Sequence, residues 1–121
     1  MQDIFVGDTG SGTPLVLVHG FLGSTDMWKH QVDYFKQYYR VLTPAIPGFG
    51  KSKELKSCDS IECMAQKILS SLESKKIKKF NLLGHSMGGM VAQEITKLAG
   101  KKILKLIFYG TGPRGNIPGR F

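Results

Sequence analysis

The run Asn81-Leu82-Leu83-Gly84-His85-Ser86-Met87-Gly88-Gly89-Met90 constrains what this chain can fold into more than any other segment. It sets a serine in a G-x-S-x-G frame, with apolar Phe80 to Leu83 before it and Met87, Met90, Val91, Ile95 and Leu98 at helical spacing after it. A strand that turns at once into a helix must double back on itself. Gly84 and Gly88 are then expected where a side chain would strike the neighbouring strand or helix, and Ser86 is left at the tip. This is the pattern of a nucleophile elbow. Five residues alone occur often by chance, so the specificity comes from the strand and helix that flank them.

The rest of the chain supplies strands and helices in alternation. Ile4-Phe5-Val6 reads as a short strand before the glycine-rich turn Gly7 to Gly12, and Leu15 to Val18 as a strand buried on both faces. Ser24 or Thr25 is placed to cap a helix carrying Met27, Trp28, Val32 and Phe35. Val41-Leu42 forms the third strand. Asp59 and Glu62 form a capping box ahead of the helical stripe Ile61, Met64, Ala65, Ile68, Leu69 and Leu72. Phe80 to Leu83 is the fourth strand, the next helix runs to about Ala99 with Gly100 as its C′ residue, and Ile103 to Tyr109 is the fifth strand. This order predicts an α/β fold: a mostly parallel sheet with helices on both faces and its chemistry outside the carboxyl ends of the strands. His19-Gly20-Phe21 and Ser86 then follow two such ends and open on one edge.

Composition narrows the function classes. The net charge of +8 comes almost wholly from lysine. Lys75, Lys76, Lys78, Lys79, Lys101, Lys102 and Lys105 fall at helix C-termini or in the turns after them, where cations complement the backbone dipole. Without interleaved arginines and exposed aromatics, this is no nucleic-acid groove. No apolar run approaches membrane-spanning length, and no basic segment leads into an apolar one at the start. Cys58 and Cys63 fit neither a zinc pattern nor C-x-x-C, and read as free thiols of a cytoplasmic protein.

Three segments together, Leu15-Val16-Leu17-Val18-His19-Gly20-Phe21, Pro47-Gly48-Phe49-Gly50-Lys51-Ser52 and Gly84-His85-Ser86-Met87-Gly88-Gly89, resemble the hallmark segments of the α/β-hydrolase superfamily, in its order and spacing. The resemblance covers about residues 3 to 112, and is nearest to small cytosolic esterases, enol-lactonases and haloperoxidase-like enzymes. It implies Ser86 as nucleophile, the amides of Phe21 and Met87 as oxyanion donors, and His19, with Gly20 and His85, as residues shaping the site. It implies a small acyl substrate and neither metal nor organic cofactor. The expected activity is hydrolysis of an ester, a lactone or an activated carbon-carbon bond through an acyl-enzyme.

The family's triad runs Ser, then Asp or Glu, then His. No histidine follows Ser86, and the one later carboxylate, Glu94, reads as an exposed helical residue. At 121 residues the chain also falls short of the roughly 200 to 250 that one α/β domain commonly takes. It therefore reads as the amino-terminal part of a single, incomplete α/β-hydrolase core, with about 112–121 starting the cap region. Two other readings compete. Ala45 to Ser52 matches a loose Walker A pattern, but no helix begins at Lys51-Ser52 and no Walker B aspartate follows. A non-catalytic small-molecule binding protein on the same fold is the other.

Overall fold

The computed structural model of the protein describes residues 4–19, 28–45, 60–85 and 87–109. Five strands, β1 (Val6–Thr9), β2 (Pro14–Val18), β3 (Arg40–Pro44), β4 (Phe80–His85) and β5 (Ile103–Tyr109), form one sheet in the order β1-β3-β2-β4-β5. Among the described residues three α-helices, α1 (Lys29–Phe35), α2 (Ile61–Ser74) and α3 (Met87–Ala99), join them. All pairings are parallel except β1 with β3. The expected fold class is thus found.

The apolar run of β2 explains how the helices are shared out. Leu15 and Leu17 point to one face, where they pack with Val41 and Trp28 and are flanked by Val32 and Phe35 of α1. Val16 and Val18 point to the other, into a larger cluster with Leu42, Phe80 and Leu82 and with the inner stripes of α2 and α3. Phe80 and Leu82 are fully buried, and each contributes roughly 2 kcal/mol of hydrophobic stabilisation. The alternation of period two within β2 therefore serves two cores, as a sheet covered on both sides requires.

Several local expectations shift. The first strand lies at Val6–Thr9, so Gly7 and Asp8 are strand residues and not turn. Gly7 faces Thr43 in the ladder with β3, and pairing with β3 overrides the weak strand propensity of glycine and aspartate. Helix α1 starts at Lys29 with Trp28 as its N-cap and no side-chain cap; Ser24 and Thr25 lie outside the described residues. Helix α2 is capped by Ser60, whose Oγ accepts from the Cys63 amide at 3.0 Å, one residue beyond the capping box expected at Asp59. Gly100 has no left-handed φ, and α3 passes directly into a 3-10 turn, Gly100–Lys102. Lys105 lies inside β5. Cys63 is disulfide-bonded and not a free thiol, which removes the thiol-based argument for a reducing compartment. The chain's only other cysteine is Cys58. No helix among the described residues is long and apolar enough to cross a membrane.

The end of α2 is closed without glycine. Lys76 takes a left-handed φ of 61°, its amide donates to the Glu73 carbonyl, and the Ile77 amide donates to the Leu72 carbonyl. This is the Schellman arrangement, completed by the buried pair Leu72 and Ile77 in the larger core.

Asp8 ties β1 to β3 and to the end of α2. It accepts from Arg40 Nε and Nη2 at 2.9 and 2.7 Å, and from Lys75 Nζ at 3.3 Å. The bonds from Arg40, and more weakly Lys75, hold the Asp8 carboxyl below the usual carboxylate range against the opposing effect of burial. A depressed carboxyl stabilises the fold above its unfolded value of about 3.9 and loses that contribution as the pH falls through the folded value. The side chains of Asp8 and Arg40 are 27% and 31% exposed, so solvent screening trims the effect. Asp8→Asn is expected to cost about 1 kcal/mol in urea denaturation at pH 7. That difference should close toward pH 3, and an undiminished gap there would show that charge is not the cause.

Candidate active site

Strand order places the site. From β2 the chain moves outward through α1 to β3, then returns through α2 across β2 to β4. The direction of winding reverses at β2, and the helices that follow β2 and β4 lie on opposite faces. Such a switch point opens a crevice at the carboxyl ends of the two strands. Val18 pairs with Gly84 at the last rung of the β2–β4 ladder. His19 therefore follows β2 beside the end of β4, on the edge expected for both loops.

At that edge β4 ends at His85 and α3 begins at Met87, which leaves one residue, Ser86, between strand and helix. Ser86 lies outside the described residues, as do Gly20 and Phe21. The neighbours of Ser86 show why glycine is needed twice. A Cβ on Gly84 would stand 2.5 Å from the Gly88 carbonyl oxygen and 2.6 Å from Gly89 Cα. A Cβ on Gly88 would strike the Val18 carbonyl oxygen and stand 2.6 Å from that of His19. The turn thus closes on itself at Gly84, and on the end of β2 at Gly88. The first collision follows from the G-x-S-x-G pattern, whereas the identity of the second obstacle depends on which strand lies beside β4.

Met87 is the first residue of α3, so its N–H belongs to the helix-start amides that have no acceptor within the helix. These amides and the helix dipole favour negative charge at the same end. His19 is fully buried. His30 is exposed on α1. Glu94 is partly buried, not exposed, and sits two turns along α3, about 10 Å from its start at 1.5 Å per residue. Glu94 therefore stands away from the carboxyl ends of β2 and β4. Among the described residues no group of three His, Cys, Asp or Glu comes together to hold a metal ion. The Walker-like residues 46–52 lie outside the described residues.

One residue at this edge was not anticipated as part of the site. Trp28 packs its ring against His85, with centroids 6.2 Å apart and planes at 85°. Its helical spacing in the sequence marks it only as core.

A family model described as the alpha/beta hydrolase fold matches residues 13–118. The chain belongs to the α/β-hydrolase family. Among the relatives of this chain is the pimeloyl-[acyl-carrier protein] methyl ester esterase of Photobacterium profundum, 35% identical over 105 residues, which are 87% of this chain and 39% of that protein. Epoxide hydrolase 4 of Mus musculus is 36% identical over 99 residues, 79% of this chain and 28% of that protein. Among solved structures, a marine microorganism esterase superposes with a TM-score of 0.84 at 31% identity, covering 92% of this chain and 42% of that one. This α/β-hydrolase chain therefore spans about two fifths or less of the length of these relatives. The names of the first two relatives run from ester to epoxide hydrolysis, so family membership leaves the reaction and the substrate open.

Proposed function

We propose that the protein is a serine hydrolase that cleaves an ester, a lactone or an activated carbon-carbon bond through an acyl-enzyme on Ser86. The observation that carries this reading is the elbow geometry. A single residue separates β4 from α3, and two glycines let strand, helix and the end of β2 meet there. In the proposed reaction with an ester, Ser86 Oγ attacks the acyl carbonyl as its proton passes to a base. The carbonyl oxygen takes the negative charge, and the amides of Met87 and Phe21 stabilise it. The C–O bond to the leaving alcohol then breaks as the alcohol takes up the proton. Water enters by the same steps to release the acid and restore the serine.

The acid and base of the triad are assigned to sequence outside these 121 residues. The chain is then the amino-terminal part of the domain, with about 112–121 entering the cap region. The relatives' greater length supports this. The 121-residue polypeptide alone is expected to be almost inactive, since triad members are missing while oxyanion donors remain. The small acyl substrate needs no nucleic acid, membrane or cofactor.

The test is covalent labelling of the full-length protein by a fluorophosphonate, followed by peptide mapping. Label on Ser86, with turnover of short acyl esters, is the expected result. Absence of label together with tight binding of a small ligand would replace this reading by the non-catalytic binding protein.

A further inference from the structure

Trp28 is the only tryptophan of the chain and is 2% exposed. Its Nε1–H is buried and has no hydrogen-bond partner among the described residues. A buried indole usually finds an acceptor, and an orphaned donor costs about 1–3 kcal/mol. The aliphatic neighbours Leu15, Leu17 and Val41 ask only for apolar volume, so they do not account for an aromatic ring. The contact that does depend on the ring is the edge-to-face one with His85, a kind of pairing that contributes beyond simple burial.

The place of His85 gives that contact its consequence. The β2–β4 ladder ends at Val18–Gly84, whereas the β4–β5 ladder continues one residue further, to His85–Tyr109. On the β2 side, the last residue before Ser86 thus stands beyond the end of the ladder. Trp28 reaches it from that half of the molecule, at the start of the helix that follows β2. We propose that Trp28 is a positioning residue, whose ring fixes the His85 side chain and through it the aim of Ser86. This rests on Ser86 being the nucleophile.

The test uses the full-length protein and the rate at which a fluorophosphonate modifies Ser86. In that reaction Oγ bonds to phosphorus as the P–F bond breaks, and the hydroxyl proton leaves with fluoride. Trp28→Leu is expected to slow the saturating rate about tenfold with the half-saturating concentration within about twofold, since misaim acts on the reacting geometry more than on binding. Trp28→Phe keeps a ring and should stay within about threefold of the wild-type rate. The His85 imidazole C–H resonances should move in Trp28→Leu as the indole ring current is lost. A folded Trp28→Leu with the wild-type rate overturns the proposal. So do losses in both variants that merely follow their folded fractions at the assay temperature. If Trp28→Leu does not fold, His85→Ala removes the contact from the other side, and a wild-type rate there overturns the proposal equally. A wild-type protein that takes no label sinks the nucleophile reading and the positioning role with it. The His85 resonances in Trp28→Phe would then still report whether the two rings touch.

Discussion

Ser86→Ala in the full-length protein is expected to lower kcat for a short acyl ester by a factor on the order of 10⁴ to 10⁶, with KM changed only a few-fold. In the proposed reaction the hydroxyl makes the bond that replaces the leaving group, so its loss removes the acyl-enzyme route while the proposed oxyanion donors remain. Those donors should sustain a residual rate above that of water, as in serine hydrolases from which triad members have been removed. Steady-state kinetics of the two proteins, with folding checked by thermal denaturation, measures it. A variant that keeps a tenth or more of the wild-type kcat would exclude Ser86 as nucleophile, and the acyl-enzyme with it.

Gly88→Val is expected to be strongly destabilising. The new Cβ would meet two backbone carbonyls, those of Val18 and His19, which belong to the end of β2 and cannot swing aside as a flexible side chain would. Helix α3 must then lift from the sheet, taking with it the packing of the fully buried Val91, Ala92 and Ile95. Overpacking of this kind costs roughly 3 kcal/mol or more, a large share of a typical domain's stability. Gly100→Ala is the matched control, because a Cβ there meets nothing within 4 Å. Denaturation midpoints compare the two. If Gly88→Val is no less stable than Gly100→Ala, the close approach of α3 to the end of β2 is wrong.

The need for glycine at Gly84 and Gly88 is legible in the sequence because the sterics of the turn are local. The frame Gly84 to Gly88 specifies a sharp turn whatever surrounds it, and the collision of Gly84 with the backbone of Gly88 and Gly89 follows from the turn itself. Where local signals compete, sequence reading slipped by a residue or more. Asp59 and Ser60 are both good caps, and Ser60 is the one whose extended backbone brings its hydroxyl to the Cys63 amide. Gly7 and Asp8 carry turn propensity, yet they pair with β3 because the ladder and the Arg40 bond outweigh that preference. Gly100 looked like a helix stop, but the left-handed residue that closes a helix is Lys76, after α2, where the buried pair Leu72 and Ile77 fastens the turn. Nothing in the spacing of Trp28 from Val32 and Phe35 points to His85, 57 positions on.

What the sequence by itself determined is the alternation of strands and helices, the two-faced burial of Leu15 to Val18, and the placing of one serine between a strand and a helix. Each follows from periodicity, or from steric limits acting within a few residues. The tertiary structure alone decided that β2 lies between β3 and β4, so that the Val18 and His19 carbonyls press on Gly88 and Trp28 stands against His85. A strand's apolar pattern says which faces it buries, but strands of similar pattern are interchangeable as neighbours until the crossovers and the packing of their helices choose among them.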